Sequence, residues 1–385
     1  MRRPTSDRDR PTNKPDGAEG ESSAPARKPG RRAADLFKRA VNALLAVLFP
    51  KSRDQPLPSA EEVRRVLLVR VNYRMGNTVL VTALLPILRA RFPHAVVDVL
   101  VGDTAAAVFE GLDFECIHQL SRRDLRRPWR LLGLIRRLRR RRYEVAIDGG
   151  LTSFSGALYG FLGGARWRIG GRGRNDRFLN VRLALPKCET LYDEPATVAR
   201  ALGVAVAGWP ACRVAADEAA AAAVRLGQMD ALPGKDFLGV FVGGHGHKRW
   251  PRENWMALLE QLEVLRVPAL VFVGPEEREF VGVLTSRDWT FLHIVPPGPL
   301  RAFAALVSRA SLLLTPDSGP MHLAAALRVP VLALLTTAQS RFYVPAGGEN
   351  AAIVLAITDP AADQAAAVSA ALHGHPAWTR VARPA

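Results

Sequence analysis

From Val63 onward, short runs of apolar residues alternate with longer stretches in which apolar residues recur at helical spacing. The run VRRVLLVRV predicts a buried strand, and residues 78–92 predict one helix after it. Further strands are predicted at AVVDVLVG and YEVAIDGG. Strands that alternate with helices in this way indicate βαβ units and a parallel sheet.

The alternation stops over residues 208–236, where an alanine-rich helix lies between a Trp-Pro turn and a Pro-Gly turn. It then restarts, and the second half of the chain repeats the plan of the first. We therefore predict an α/β protein with two Rossmann-like domains, residues 60–207 and residues 237–385, joined by a connection over 208–236. Ligands bind beyond the carboxyl ends of the strands in such open sheets, so both sets of ends should face one interdomain cleft.

Positive charge is concentrated in two places. The chain has 53 Lys/Arg and 36 Asp/Glu, a net charge of +17. Residues 1–53 hold 13 Lys/Arg against six Asp/Glu, and residues 121–142 hold 11 Arg against one acidic residue. The remainder is balanced, which is unlike a uniformly basic nucleic-acid binder, and no nucleic-acid motif is present. Two local basic patches instead favour contact with a phosphorylated lipid or sugar, or with an anionic membrane face.

Residues 1–59 are expected to be a disordered basic terminus that contains one amphipathic helix over residues 33–53. That helix would either lie in an anionic membrane surface or pack on the globular body, and the sequence leaves both readings open. No apolar run is long enough to predict a spanning helix. The three cysteines are far apart and form no CxxC pair, which argues against a disulfide framework or zinc cluster and fits a reducing compartment.

The stretch LLLTPDSGPMHLAAALRVPVLAL gives the strongest sign of a ligand site. A buried strand should deliver Asp317 to its carboxyl end, and Ser318 and Gly319 should form the turn into a helix that begins near Pro320. The free N–H groups of that first turn favour an anion, and His322 can point at the same phosphate. The alternative is that Asp317 or Ser318 merely caps the helix.

A second loop, FVGGHGHKRWPRENW, follows the first strand of the second half. Its paired glycines permit close approach of a ligand, while Lys248 and Arg249 could neutralise a diphosphate. His245 and His247 form an HxH pair, but no third ligand is evident, so no metal site is predicted.

A third turn, within RVNYRMGNTVLVTALLP, joins the first strand to its helix and carries Arg74, Gly76 and Asn77. It matches neither GxGxxG nor the GxxxxGK[ST] phosphate loop. Asn77 can orient a hydroxyl by hydrogen bonding, but its amide cannot act as a base at neutral pH.

Together these three stretches resemble glycosyltransferase family 9, the ADP-heptose:lipopolysaccharide heptosyltransferase group, over residues 63–345. The resemblance implies a GT-B fold and inverting transfer from a nucleoside-diphosphate sugar, ADP-heptose being the donor most typical of the family, without a metal or other cofactor. The acceptor would be a lipopolysaccharide core or a similar phosphorylated, lipid-linked glycan of the cell envelope. The protein would then be cytoplasmic and peripheral on the inner membrane.

The resemblance also implies roles for individual residues. Donor binding falls to the C-terminal domain and acceptor binding to the N-terminal one. The implied donor residues are Lys248, Arg249, Asp317, Ser318, Gly319 and His322, and the implied acceptor residues are Arg74, Gly76 and Asn77.

The chain departs from the family at Asn77, where an aspartate commonly serves as the catalytic base. Attack by an acceptor hydroxyl needs a base, so another residue must serve or the protein does not catalyse. The candidate bases are Asp103, Asp148, His245 and His247. The alternative is a non-catalytic homologue that binds a nucleotide sugar.

Overall fold

The computed structural model describes residues 51–173, 176–229, 236–356 and 358–381, except for the side chain of His247. These residues form two six-stranded sheets in which every paired strand is parallel to its neighbour. The predicted α/β class with two Rossmann-like halves is confirmed.

The two sheets have the same strand order. In the first, the order is β3-β2-β1-β4-β5-β6, and in the second it is β12-β11-β10-β7-β8-β9. The order therefore reverses between β1 and β4 in one sheet and between β7 and β10 in the other, and these are the places where open α/β sheets bind ligands. The strands are β1 (Arg65–Arg70), β2 (Val96–Gly102), β3 (Ile117–Leu120), β4 (Val145–Asp148), β5 (Trp167–Gly171), β6 (Val181–Leu183), β7 (Leu238–Val242), β8 (Ala269–Val273), β9 (Leu292–Val295), β10 (Leu312–Pro316), β11 (Val331–Leu335) and β12 (Ala351–Val354).

Helices connect these strands and cover both faces of each sheet. They are α1 (Met75–Val81), α2 (Leu84–Arg91), α3 (Pro128–Arg140), α4 (Phe154–Leu162), α5 (Glu194–Ala201), α6 (Ala216–Gly227), α7 (Arg252–Val264), α8 (Phe280–Thr285), α9 (Leu300–Val307), α10 (Gly319–Ala326), α11 (Ala361–His373) and α12 (Trp378–Val381). Among the described residues, none of the helices has the length and apolarity that crossing a bilayer requires.

Burial on both faces explains why the strands read as unbroken apolar runs. In β1, Val66 and Leu68 pack with α1 and α2, while Leu67 and Val69 point to the opposite face, where α3 and α4 lie. All four are fully buried. A strand covered on both sides needs no polar alternation, so such a run fits the centre of a parallel sheet.

The single helix predicted over residues 78–92 is wrong in one respect, because the structure has two helices there, with a break at Thr82. Pro86 has no N–H to donate to the carbonyl of Thr82, and the hydroxyl of Thr82 instead donates to the carbonyl of Val79 at 2.6 Å. The break brings that hydroxyl beside the interdomain connection, where it accepts a hydrogen bond from the N–H of Ala211 at 2.8 Å.

The predicted disorder of residues 1–59 is wrong for its last part. The N–H of Ser52 donates to the carbonyl of Arg177 at 3.2 Å, and the N–H of Gln55 donates to the carbonyl of Asn180 at 2.6 Å. These hydrogen bonds hold the segment against the β5–β6 edge of the first sheet. Residues 1–50, which include most of the predicted helix over 33–53, lie outside the described residues.

A buried ion pair anchors the arginine-rich region. Asp98 is fully buried in β2, and both of its oxygens accept hydrogen bonds from Arg141, at 2.8 and 2.9 Å. The hydroxyl of Tyr143 donates to the same carboxylate at 2.6 Å. Burial acts to raise the pKa of Asp98, but hydrogen bonds from His118, Arg141 and Tyr143 outweigh it and hold that pKa at about 2.

We expect Asp98→Asn to lower the free energy of unfolding by about 3 kcal/mol, because it removes the negative charge that pairs with Arg141 and replaces one of the two acceptor oxygens by an NH2 donor. The matched control is Asp113→Asn, whose carboxylate is 78% exposed although it pairs with Arg89, and which should stay within about 0.5 kcal/mol. Urea unfolding would measure both. The pKa of Asp98 is depressed in the folded state. The ionised carboxylate therefore contributes fully to the free energy of unfolding above its unfolded-state pKa of about 4, and this contribution is lost as the pH falls towards 2. If the difference in unfolding free energy between Asp98→Asn and wild type were the same at pH 2 as at pH 7, the stabilising role of the ion pair would be contradicted.

Candidate functional site

A pocket of about 110 Å³ opens where β1 and β4 end, at the strand-order reversal of the first sheet. Its polar lining comes from Arg70, Asn77, Tyr192 and Glu194, and the rest is mainly apolar. Gly150 makes room for this arrangement, because a side chain at that position would collide with the guanidinium of Arg70. The first half of the chain thus presents an amide, a carboxylate, a guanidinium and a phenol to one small volume.

The acceptor residues implied by the resemblance lie at the edge of this pocket. Asn77 is in the first turn of α1, and its backbone carbonyl accepts a weak hydrogen bond from Nε of Arg70 at 3.4 Å. Among the described residues, none is hydrogen-bonded to its side-chain amide, so that amide is available to a ligand. Gly76 is buried beside it, while Arg74 is exposed.

The turns that carry Asn77 and Asp317 meet across the two halves of the chain. A side chain at Gly319 would approach the backbone N of Gly76 to 3.3 Å, and a side chain at Gly76 would come within 2.6 Å of Cδ2 of His322. The two helices α1 and α10 therefore begin almost in contact, which only glycine at both positions allows.

His322 joins the two halves by a hydrogen bond. Its Nδ1 lies 2.7 Å from the hydroxyl of Tyr192, and burial lowers the pKa of its imidazole to about 4, so the ring is neutral at pH 7. The sequence predicts that this histidine points at a donor phosphate. In the structure its ring instead lies against Gly76 and its Nδ1 is used by Tyr192.

Lys248 and Asp317 come together at the strand-order reversal of the second sheet. Lys248 follows β7 and Asp317 follows β10, and Nζ lies 2.5 Å from Oδ2. The ammonium group also lies 4.6 Å from the ring centroid of Tyr343. The contact neutralises the buried carboxylate, although its angles are not those of a hydrogen bond. A lysine placed here can exchange its carboxylate partner for a diphosphate.

The alternative that Ser318 merely caps α10 does not fit its contacts. Its hydroxyl lies 3.0 Å from the hydroxyl of Thr315, and it makes no capping hydrogen bond to the helix. The first N–H groups of α10 are consequently left for another partner.

Arg249 and His245 are both occupied within the second half of the chain. Nε of Arg249 lies 2.9 Å from Glu277, and its Nη2 donates to Glu276 at 3.1 Å. The pKa of Glu277 is raised by burial, although Arg249 opposes that effect. His245 is 75% exposed and lies 3.3 Å from Glu276. Of the two cations predicted to meet a diphosphate, Arg249 is the one already held by two carboxylates.

The predicted base candidates have different surroundings in the structure. Asp148 is buried, and its oxygens accept hydrogen bonds from the N–H of Gly150 at 2.9 Å and from the N–H and hydroxyl of Ser153 at 2.7 and 2.6 Å. It thereby organises the loop before α4. Asp103 is exposed after β2 and does not line the pocket. His247 has no described side chain.

Sequence reasoning missed Tyr192 and Glu194. Glu194 is the first residue of α5 and precedes a proline, so in the sequence it reads as an ordinary acidic residue at a helix start. No local pattern brings α5 to the end of β1, because the residues that meet there are more than a hundred positions apart. Only the packing of α5 against α2 reveals the shared pocket.

Within the described part of the chain, no three His, Cys, Asp or Glu residues gather closely enough to hold a metal ion.

Comparison with known proteins gives the following similarities. The model of glycosyltransferase family 9 (heptosyltransferase) matches residues 131–371. A family 9 glycosyltransferase from Veillonella parvula DSM 2008 is 22% identical, with a TM-score of 0.64 over 76% of this chain and 85% of that one. E. coli ADP-heptose LPS heptosyltransferase II is 21% identical, with a TM-score of 0.61, and the match covers 80% of this chain and 98% of that one. E. coli heptosyltransferase WaaC with ADP is 18% identical, with a TM-score of 0.60, and the match covers 80% of this chain and 97% of that one. No functionally curated protein matches the sequence.

The structural likeness, together with the two parallel sheets, confirms the predicted GT-B fold. The family match begins at residue 131 and so does not include the turn with Asn77.

We expect Gly76→Ala to destabilise the protein by about 1–3 kcal/mol, because the new methyl group would lie 2.6 Å from a buried ring carbon of His322. The matched control is Gly282→Ala in α8, where no atom lies within 4 Å and alanine should be neutral or stabilising by up to about 1 kcal/mol. Thermal unfolding would compare them. Equal melting temperatures for the two variants would contradict the close approach of the two turns.

Proposed function

The chain belongs to glycosyltransferase family 9, and on this premise we propose that it transfers heptose from ADP-heptose to a phosphorylated, lipid-linked glycan of lipopolysaccharide-core type. The transfer would invert the anomeric carbon and need no metal. The observation that carries the proposal is the meeting of the two turns. It puts the Lys248–Asp317 pair of one half and the Asn77 pocket of the other on either side of one contact.

The donor half of the proposal follows from charge. A nucleoside diphosphate brings negative charge to the end of β10, where Lys248 and the uncapped first turn of α10 can both meet it. ADP is supported as the nucleotide because E. coli WaaC, which has a similar fold, was solved with ADP and with ADP-2-deoxy-2-fluoro heptose. Asp317 would then accept from a donor hydroxyl once Lys248 turns to the diphosphate.

In the proposed reaction a hydroxyl of the acceptor attacks the anomeric carbon from the side opposite the leaving group, and this direct displacement inverts that carbon. The bond between the anomeric carbon and the diphosphate oxygen breaks, and its electron pair leaves with the nucleoside diphosphate. Lys248 and the N–H groups of α10 stabilise the charge that develops there, which is the largest electrostatic demand of the step.

The acceptor half of the proposal follows from the basic stretch over residues 121–142. The guanidinium of Arg122 lies 4.6 Å from the ring centroid of Tyr73, which directly precedes Arg74. A run of exposed arginines continues from there into α3, where phosphates of a lipid-linked saccharide can be bound by planar guanidinium groups.

The same stretch supports peripheral attachment to the cytoplasmic face of the inner membrane. Three large apolar side chains are exposed among the arginines: Leu125 and Leu132 at 51% and Trp129 at 67%. Apolar and cationic side chains side by side suit the interface of a bilayer with anionic headgroups. The apolar stretch over residues 33–53 would provide a second contact with the same surface.

A second function is favoured by one observation, which is that Asn77 cannot remove a proton. The chain would then bind a nucleotide sugar without transferring it. Both functions predict donor binding, and only transfer or hydrolysis of the donor separates them.

We expect one class among ADP-, UDP-, GDP- and dTDP-sugars to raise the melting temperature of the protein, because a ligand that binds the folded state and not the unfolded state stabilises the folded state. In Lys248→Ala the affinity for that donor should fall by about 10- to 100-fold, the size of a lost charged hydrogen bond. Calorimetry would measure it. The control is Lys187→Ala, an exposed lysine of the other half that should bind as the wild type does. No shift with any donor would contradict the proposed function.

We expect Trp129→Ala to weaken binding to vesicles of phosphatidylglycerol and phosphatidylethanolamine by about 5- to 50-fold, because an indole that enters the interface gains roughly 1–2 kcal/mol. Vesicle sedimentation at low and high salt would measure it. The control is Val264→Ala, which truncates another exposed apolar side chain, on α7, and should leave binding unchanged. If the wild-type protein bound neutral vesicles as strongly as anionic ones, the proposed preference for an anionic membrane surface would be ruled out.

A further inference from the structure

We propose that Glu194 is the general base of the transfer, with Asn77 holding the acceptor hydroxyl beside it. This inference rests on the proposed function and adds to it the residue that receives the proton.

Position is the first argument. Glu194 and Asn77 line the same pocket of about 110 Å³, which puts a carboxylate and an amide on the wall of one small cavity. Glu194 is the one acidic residue among those that line this pocket. It makes no hydrogen bond within the described residues, so its oxygens remain available to a ligand, unlike those of Asp148, which already accept three hydrogen bonds.

The wall of the pocket is the second argument. Tyr192, two residues before Glu194, lines the pocket with it and shares a hydrogen bond with His322 of the donor half. His322 in turn lies against Gly76. The wall of the pocket that holds Glu194 is thus connected through Tyr192 and His322 to the start of α10, and a general base must lie near the donor sugar to which the hydroxyl bonds.

Electrostatics agree with this role. Burial raises the pKa of Glu194, and the nearby Arg70 lowers it in part. Arg70 comes from the end of β1, lines the same pocket and also interacts electrostatically with Asp148 of β4. Its positive charge favours the ionised form of Glu194, while burial makes the carboxylate a better proton acceptor than an exposed one.

In the proposed step, two bonds break and two form. The acceptor O–H bond breaks and its proton moves to a carboxylate oxygen of Glu194. The freed oxygen lone pair forms the bond to the anomeric carbon, and the bond from that carbon to the diphosphate oxygen breaks. The nucleoside diphosphate leaves with that electron pair, and Glu194 later gives its proton to solvent. The side-chain N–H of Asn77 cannot take the proton but can donate to the attacking oxygen and so orient it.

The test compares Glu194→Gln with wild type in the release of nucleoside diphosphate from the donor identified by thermal shift. The acceptor is first water alone and then a phosphorylated core saccharide. We expect kcat to fall by about 10²- to 10⁴-fold with KM for the donor within about threefold, because a general base acts on the reacting proton and does not bind the donor. The control is Glu189→Gln, the same change at an exposed residue five positions upstream, which should keep wild-type rates.

A rescue variant separates catalysis from structure. Asn77→Asp puts a carboxylate back into the same pocket. The double variant Glu194→Gln/Asn77→Asp should therefore have a kcat at least tenfold higher than that of Glu194→Gln alone. The wild type should lose kcat at acid pH with one titration, Glu194→Gln should lack this titration, and the double variant should regain it. Melting temperatures and donor affinity should be alike in all three proteins. A residue that only supports the fold would not be rescued by a carboxylate on α1.

Each outcome decides one claim. Wild-type activity together with an active Glu194→Gln overturns the base assignment and leaves the proposed function standing. Loss of kcat in Glu194→Gln with a lowered melting temperature and no rescue also overturns the assignment. Donor binding by a wild type that releases no nucleotide with either acceptor overturns transfer itself, and the base with it.

Discussion

The whole site depends on the near-contact between the beginnings of α1 and α10. Glycine at positions 76 and 319 removes the side chains that would hold these two helices apart. Because of that approach, His322 can lie over one turn while it belongs to the other, and Tyr192 can reach it with a hydrogen bond. A side chain at position 76 would come within 2.6 Å of the His322 ring, and one at position 319 would come within 2.7 Å of the end of the Met75 side chain.

Charge in the site is arranged as neutralised pairs. Lys248 faces Asp317, and Arg249 faces Glu276 and Glu277. Unpaired charges are costly to bury, so each cation lies beside a carboxylate. In the proposed function a diphosphate competes with Asp317 for Lys248, and this exchange would free Asp317 to accept from a hydroxyl. Arg70 differs, because it influences Asp148 and Glu194 at a distance and forms no contact pair with Glu194.

Sequence reasoning reached those features that are local in the chain. Apolar runs predicted the strands, and Gly319 with Pro320 predicted the turn after β10, because strand and helix preferences act over a few residues. The pairing of Lys248 with Asp317 was not predicted, although both residues were assigned to the donor site, because the contact of two loops at one sheet edge depends on side-chain placement. Glu194 was not found at all, because its meeting with Asn77 depends on how α5 packs against α2. The hydrogen bonds of Ser52 and Gln55 were missed for the same reason, because their partners lie between β5 and β6, more than a hundred residues later.

The packing of the interdomain connection adds to the hold between the halves. Nε1 of Trp209 donates to the carbonyl of Ala325 at 3.0 Å, and the guanidinium of Arg301 on α9 donates to the carbonyl of Ala107 at 3.2 Å.

These last two bonds end on main-chain carbonyls, which every relative of the same backbone also offers. The Tyr192–His322 hydrogen bond and the close approach of α10 to α1 at position 319 depend instead on which residues are present. A chimera with a second half taken from a distant homologue should therefore keep the contact between its halves only if the incoming segment has glycine, histidine and arginine at positions 319, 322 and 301 and also matches the apolar packing of Leu323 and Ala326 on the first half.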